Sequence, residues 1–155
     1  MTESKYTLAV VSTPEDWEVY HSIRRQELFE AKGRIGIYDA NRPEERAYGN
    51  FPLLLKLGGQ GVGTTRLDVR PDGIAIIRLV AITKDQQGAG HGRVLADMVE
   101  NLAREKGVKK LLVNANPNAV GYYEKLGYVR EDWDPSELVG ISVNSIQMSK
   151  ILAAT

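Results

Sequence analysis

No cysteine occurs among the 155 residues. That absence excludes disulfides, thiolate nucleophiles and cysteine-ligated zinc sites, and it fits a reducing compartment. Histidine is nearly as scarce, since His21 and His91 are the only two, too far apart in sequence to make a metal motif by themselves. Neither sign of charge is in excess, with 20 Lys plus Arg against 20 Asp plus Glu, so nothing steers the chain toward nucleic acid or an anionic membrane. No stretch approaches about 18 uninterrupted apolar residues, and the opening MTESKYTLAV has no basic leader followed by a long apolar run. The expectation is a soluble, cytoplasmic protein whose residues 1–155 form one domain, with a small molecule or a compact polar partner and no metal.

The residues that are present read as alternating elements. KYTLAVVS (5–12) is predicted as a first strand. Thr13-Pro14-Glu15-Asp16 then supplies an N-cap, a proline at the first helical position and acids in the first turn. Trp17, Tyr20, Leu28 and Ala31 recur at helical spacing to about Lys32, before Gly33. Residues 33–51 read as a charged loop with a helical turn around Pro43 to Arg46. PLLLKL, VGTTRLDV and IAIIRLVAI, separated by GGQG and RPDG, predict an antiparallel meander. Val94, Leu95, Met98 and Leu102 predict a helix that ends at Gly107. KKLLVNA predicts a strand, Asn116-Pro117 opens a short helix to Leu126, and Tyr128-Val129 is extended. Residues 133–142 read as a loop, and NSIQMSKIL closes the sheet.

The segment Gln87-Gly88-Ala89-Gly90-His91-Gly92 stands between an apolar strand and an amphipathic helix. The leading N–H groups of a helix have no internal partners and carry partial positive charge, and glycines let an anion approach closely. Phosphate is the expected ligand, although a glycine-rich turn can also be plain close packing. Two other phosphate motifs do not fit. A Walker loop needs Lys-Ser or Lys-Thr where Arg93-Val94 stands. A dinucleotide fingerprint needs a glycine at Arg93 and an acid near Lys109 and Lys110.

In register, Gln87, Gly90 and Gly92 match Q/R-x-x-G-x-G/A, the pyrophosphate signature of the GNAT superfamily of acyl-CoA-dependent N-acetyltransferases. Asn116, Ala119, Tyr122, Tyr123, Glu124, Lys125, Gly127 and Tyr128 resemble its second signature. The close resemblance covers about residues 74–130. It implies an α/β fold with a central mixed sheet of about seven strands: an antiparallel meander first, a parallel splayed pair at the CoA site, and about four flanking helices. It implies acetyl-CoA as co-substrate and an amine acceptor, small molecule or peptide, with direct attack in a ternary complex. A non-catalytic acyl-CoA-binding module is the alternative reading, and a nucleotide-binding or interaction domain is a third. Exposed sheet edges would permit a homodimer.

Carried over residue by residue, the resemblance places backbone groups of Val80, Ala81 and Ile82 beside pantetheine and the reacting oxygen. It places Gln87, Gly88, Ala89, Gly90, His91, Gly92 and Arg93 around the pyrophosphate. Tyr123 holds the general-acid position. Asn116 is either a cofactor-side residue or the N-cap of the helix that presents Tyr123. The glutamate some family members carry on the strand before the loop is replaced by Arg78, so water, His21, Asp68 and Asp72 remain open as routes for the amine proton. Arg78 is expected on one strand face with Ile74, Ile76, Val80 and Ile82. We favour a structural ion pair with an acid on a neighbouring strand over a substrate role for it. Arg24, Arg25, Arg34 and Tyr38 lie in the region that shapes the acceptor pocket in the family, where they would either bind an acidic acceptor or form a solvated face. Gly121, inside a helix, is expected to serve packing.

Overall fold

The computed structural model describes residues 5–83 and 90–152. Its elements are β1 (Tyr6–Val10), α1 (Pro14–Arg24), β2 (Asn50–Leu57), β3 (Gln60–Val69), β4 (Ile74–Ile82), α2 (His91–Glu105), β5 (Lys110–Ala115), α3 (Val120–Lys125), β6 (Val129–Arg130) and β7 (Ile146–Ile151). The seven strands form one sheet in the order β1-β2-β3-β4-β5-β7-β6. Only β4 and β5 run parallel, and every other neighbouring pair is antiparallel. This is the mixed sheet expected, with the meander first. Three α-helices flank it among the described residues, one fewer than the expected four.

The leucines of β2 explain why both faces of the sheet are covered. Successive strand side chains point to opposite faces, yet Leu53, Leu54 and Leu55 are all fully buried. Leu53 and Leu55 join the larger core with Leu95, Val99 and Ala103 of α2. Leu54 joins a smaller core with Tyr20 and Ile23 of α1. Each buried leucine contributes about 1.5–3 kcal/mol relative to an exposed one.

Thr13 caps α1 as its sequence requires, with its hydroxyl oxygen accepting from the Asp16 amide at 3.1 Å. Lys56 on β2 then pairs with Asp16 at 2.8 Å. The expected helix to Lys32 does not keep one pitch. After Arg24 the chain widens into a π-helical turn over Arg25–Phe29 and tightens into a 3-10 turn over Glu30–Lys32. At the far end of α2, Gly107 with φ 79° provides the left-handed residue that stops the helix.

Two irregularities in β4 shape everything that follows. Parallel pairing with β5 runs from Ile74 opposite Lys110 to Ile77 opposite Val113 and goes no further. On the other side Arg78 pairs with Arg66 and Ala81 with Thr64, so Leu79 and Val80 stand opposite Thr65 alone. This is a β-bulge. Leu79 adopts φ 55°, a left-handed conformation that costs a branched residue roughly 1–3 kcal/mol. The extra residue reverses the side-chain alternation. Val80 and Ile82 therefore pack with Ala75 and Ile77 on the α2 face, while Ala81 joins the core under α1. The expectation that Arg78 shares a face with Val80 and Ile82 is corrected by this bulge.

Candidate active site

Where β4 and β5 part, a cleft of about 270 Å³ opens in the sheet. Its floor is the strand edge from Ile77 to Val80 and the facing residues Val113 and Asn114. Asn116, Ala119, Tyr122 and Tyr123 form one wall. Leu28, Lys32, Arg34, Ile141, Ser142 and Ser145 also line it.

Tyr123 reaches the cleft because α3 begins at once after β5. Asn116 starts that connection by accepting from the Asn118 amide at 2.9 Å, with Pro117 in the first position of a 3-10 turn. Asn116 thus caps the 3-10 turn that leads into α3, whose own N-cap position is Ala119 with no side-chain bond, and Asn116 lines the cleft as well. The Tyr123 ring packs edge-on against Tyr122 at 5.1 Å and Tyr128 at 5.3 Å. Burial raises the Tyr123 phenol above its ordinary pKa, so it keeps its proton at neutral pH. Its hydroxyl has no hydrogen-bond partner among the described residues, whereas the Tyr122 hydroxyl donates to the Gly92 carbonyl at 2.7 Å. That bond ties α3 to the first turn of α2.

The start of α2 is open. Gly90, with φ 86°, precedes the helix, and no side chain caps its first amides. Among the described residues a Cβ at Gly90 would meet nothing within 4 Å, and the N-terminus of a helix suits an anion. His91 is buried, with Nδ1 and the Tyr6 hydroxyl 2.6 Å apart. Arg93 is exposed and stands 3.7 Å from Asp97. Gln87, Gly88 and Ala89 lie outside the described residues.

On the α1 face a chain of alternating charges runs toward the cleft. Arg24 is buried to 1% exposure and meets Glu45 at 2.6 Å. The Tyr20 hydroxyl donates to Glu45 at 2.9 Å, and so does Arg66. Arg66 holds Asp68 bidentately at 2.7 and 2.9 Å. Arg78 donates to Asp68 at 2.9 Å and to both oxygens of Glu137 at 2.6 and 3.0 Å. Asn114 donates to Glu137 at 3.1 Å and accepts from Gln147 at 2.9 Å. Burial by itself would raise the Glu45 carboxyl, yet the Arg24 and Arg66 guanidiniums hold it below the usual carboxylate range. Glu137 is likewise held low, chiefly by its hydrogen bonds from Arg78.

The structure therefore brings together Arg34, Arg78, Val80, Asn116 and Tyr123 on one cleft. Arg24 is turned into the buried network instead. Arg25 lies over the Tyr38 ring at 5.4 Å, and Tyr38 bonds His21, away from the cleft lining. Ala81 and Ile82 contribute to the two cores. None of His21, Asp68 and Asp72 lines the cleft. His21 stacks on Trp17 at 5.3 Å, and burial, aided by Arg24, lowers its pKa. Asp72 accepts from the Ile74 amide in the β3–β4 turn at 3.1 Å. Gly121 needs a correction: a Cβ there would meet nothing within 4 Å, so close packing does not require glycine. Sequence reading missed Lys32, Leu79, Asn114 and Glu137. Of these only Lys32 carried a signal, as the cationic end of the first helical segment.

Residues 7–128 match the model of the Acetyltransferase (GNAT) family, and the chain belongs to that family. A curated acetyltransferase of Bacillus subtilis (strain 168) is 33% identical over 67 residues, covering 37% of this chain and 46% of the relative. The match thus spans less than half the length of that relative. Among solved structures, an N-acetyltransferase from Lactobacillus plantarum superposes with a TM-score of 0.74 at 21% identity, covering 98% of this chain and 100% of the other. A GNAT-family acetyltransferase from Staphylococcus aureus gives 0.75 at 15% identity, covering 96% and 99%. The PaiA N-acetyltransferase of Thermoplasma acidophilum, solved in complex with coenzyme A, gives 0.69 at 18% identity, covering 95% and 99%. At these identities the structures share the fold.

Proposed function

We propose that this chain transfers the acetyl group of acetyl-CoA to an amine, by direct attack of the amine within a ternary complex. One observation carries the reading: Tyr123, whose phenol is kept protonated by burial, is among the residues lining the cleft that opens where β4 leaves its parallel partner. Beyond Ile77 the edge of β4 has no ladder partner on β5. That edge suits an extended pantetheine arm, which would bond it as an added strand does. In this reading a peptide N–H group of the bulge would stabilise the oxygen of the tetrahedral intermediate. Gly90 and the first amides of α2 form the open end suited to pyrophosphate.

In this reading Tyr123 gives its proton to the departing sulfur. The same burial that weakens the phenol as an acid also makes a thiolate there more basic, so the two remain matched. Holding donor and acceptor in one cleft supplies a further part of the rate, since aligned reactants lower a barrier by about 7–11 kcal/mol. The test is to titrate coenzyme A by calorimetry and then follow thiol release from acetyl-CoA across a panel of amines. Binding together with amine-dependent release is the expected result. Binding with no release from any amine would leave a CoA-binding module, and no binding at all would remove the reading.

A further inference from the structure

The charge on the cleft lining is unbalanced. Its described side chains include three cations, Lys32, Arg34 and Arg78, and no carboxylate. Arg78 is neutralised by Asp68 and Glu137. Lys32 and Arg34 are different. No ion pair among the described residues includes either of them. Arg34 makes one long bond, to the Leu28 carbonyl at 3.4 Å, and it is only half-buried. Lys32 ends the 3-10 turn that closes the first helical segment, and Arg34 follows it. Ser142 and Ser145 line the same cleft from the loop before β7 and add hydroxyl donors. Two cations without an acidic partner, on a lining that also carries hydroxyls, attract anions and repel polycations.

We infer that the acceptor is a small amine that also carries an anionic group, carboxylate or phosphate, and that Lys32 and Arg34 seat this group in the cleft that Tyr123 lines. The inference rests on the transferase reading and names its substrate class. Leu28 and Ile141, also on the lining, give the apolar part of such an acceptor a surface to cover. Polyamines and other multiply protonated amines are disfavoured by the same charges.

The test uses thiol release from acetyl-CoA with two probe pairs, L-leucine against L-leucinamide and O-phosphoethanolamine against ethanolamine, compared at equal concentrations of free amine. In the wild-type protein the anionic member of at least one pair is preferred in kcat/KM by roughly tenfold to a hundredfold, the range of a hydrogen bond to a charged group. The pair that responds distinguishes carboxylate from phosphate. In a K32Q/R34Q double variant that preference disappears, while the coenzyme A dissociation constant stays within about twofold. Equal use of both members, or a preference that survives in the variant, overturns the inference. So does a collapse of coenzyme A affinity in the variant, which would give the two cations to the cofactor instead. If no amine is turned over, the same probes are titrated calorimetrically into the coenzyme A-bound protein. Anion-dependent binding that the variant loses upholds the inference and removes only the transfer step, and absent binding overturns it.

Discussion

Ile77 and Val113 are the last partners in the parallel ladder of β4 and β5, and the cleft opens at this pair, which lines its floor. Everything assigned to this cleft depends on β4 leaving its neighbour there. The bulge at Leu79 diverts the strand just as the ladder ends.

Replacing Tyr123 by phenylalanine removes the proposed proton donor and keeps the edge-on ring packing with Tyr122 and Tyr128. Turnover is expected to fall by about 10²–10⁴-fold, the range for a general acid. Coenzyme A affinity should change little. Near-normal turnover in a folded Y123F protein would take Tyr123 out of the mechanism.

Gly90→Asp places a carboxylate at the proposed pyrophosphate site before α2 and puts a side chain on a residue at φ 86°. Binding of coenzyme A should be severely weakened, as read by calorimetry. Gly121→Ala is the contrasting substitution. Its new methyl enters open space within α3, so it should stabilise the fold by about 0.4–1 kcal/mol in urea unfolding and leave coenzyme A affinity unchanged.

Glu45 is 4% exposed and is the shared acid of Arg24 and Arg66. Glu45→Gln leaves the buried Arg24 guanidinium without a counter-charge and Arg66 with Asp68 alone, and breaking a buried pair in this way costs about 3–5 kcal/mol. Denaturant unfolding of the E45Q protein reads that loss directly. A change below about 1 kcal/mol would mean that solvent or a rearrangement compensates the arginines.

Acid sensitivity follows from the same residue. Its carboxyl is held low in the folded state, so the unfolded chain binds the proton more readily, and stability rises with pH across the interval between the folded and unfolded values. The contribution is fully present above about pH 4.5, the ordinary glutamate region, and is lost as pH falls through the folded pKa. Unfolding midpoints between pH 3 and pH 6 should therefore drop toward acid, and less steeply in E45Q. For Tyr123 the direction is opposite. Its raised pKa predicts no loss of activity from phenol ionisation up to about pH 10, the ordinary tyrosine value.

The parts of this fold written in local pattern were legible. Turn residues between apolar runs gave the meander, and the stripe of Leu95, Met98 and Leu102 gave α2, because period and punctuation act over a few residues. The motif around Tyr123 gave the family. The bulge was not legible: β4 reads as an apolar run interrupted only by Arg78, and Leu79 is not the glycine that usually marks a left-handed residue. Its consequence, the opposite facing of Val80 and Ile82 from Arg78, was hidden with it. Glu45 lies in a charged stretch that reads as solvated loop, and Arg78 meets Glu137 59 residues later. Such pairings are decided by tertiary placement, which no local spacing encodes.

β7 lies between β5 and β6, although the ribosome makes it after both. Until Ile146–Ile151 emerges, β5 presents a bare hydrogen-bonding edge and the two residues of β6 have nothing to pair with. A nascent chain stalled before that strand would hold the four-stranded meander and a β5 supported on one side only. It would also be the species most exposed to edge-to-edge aggregation. Newly made protein should thus acquire its activity only with the last strand seated.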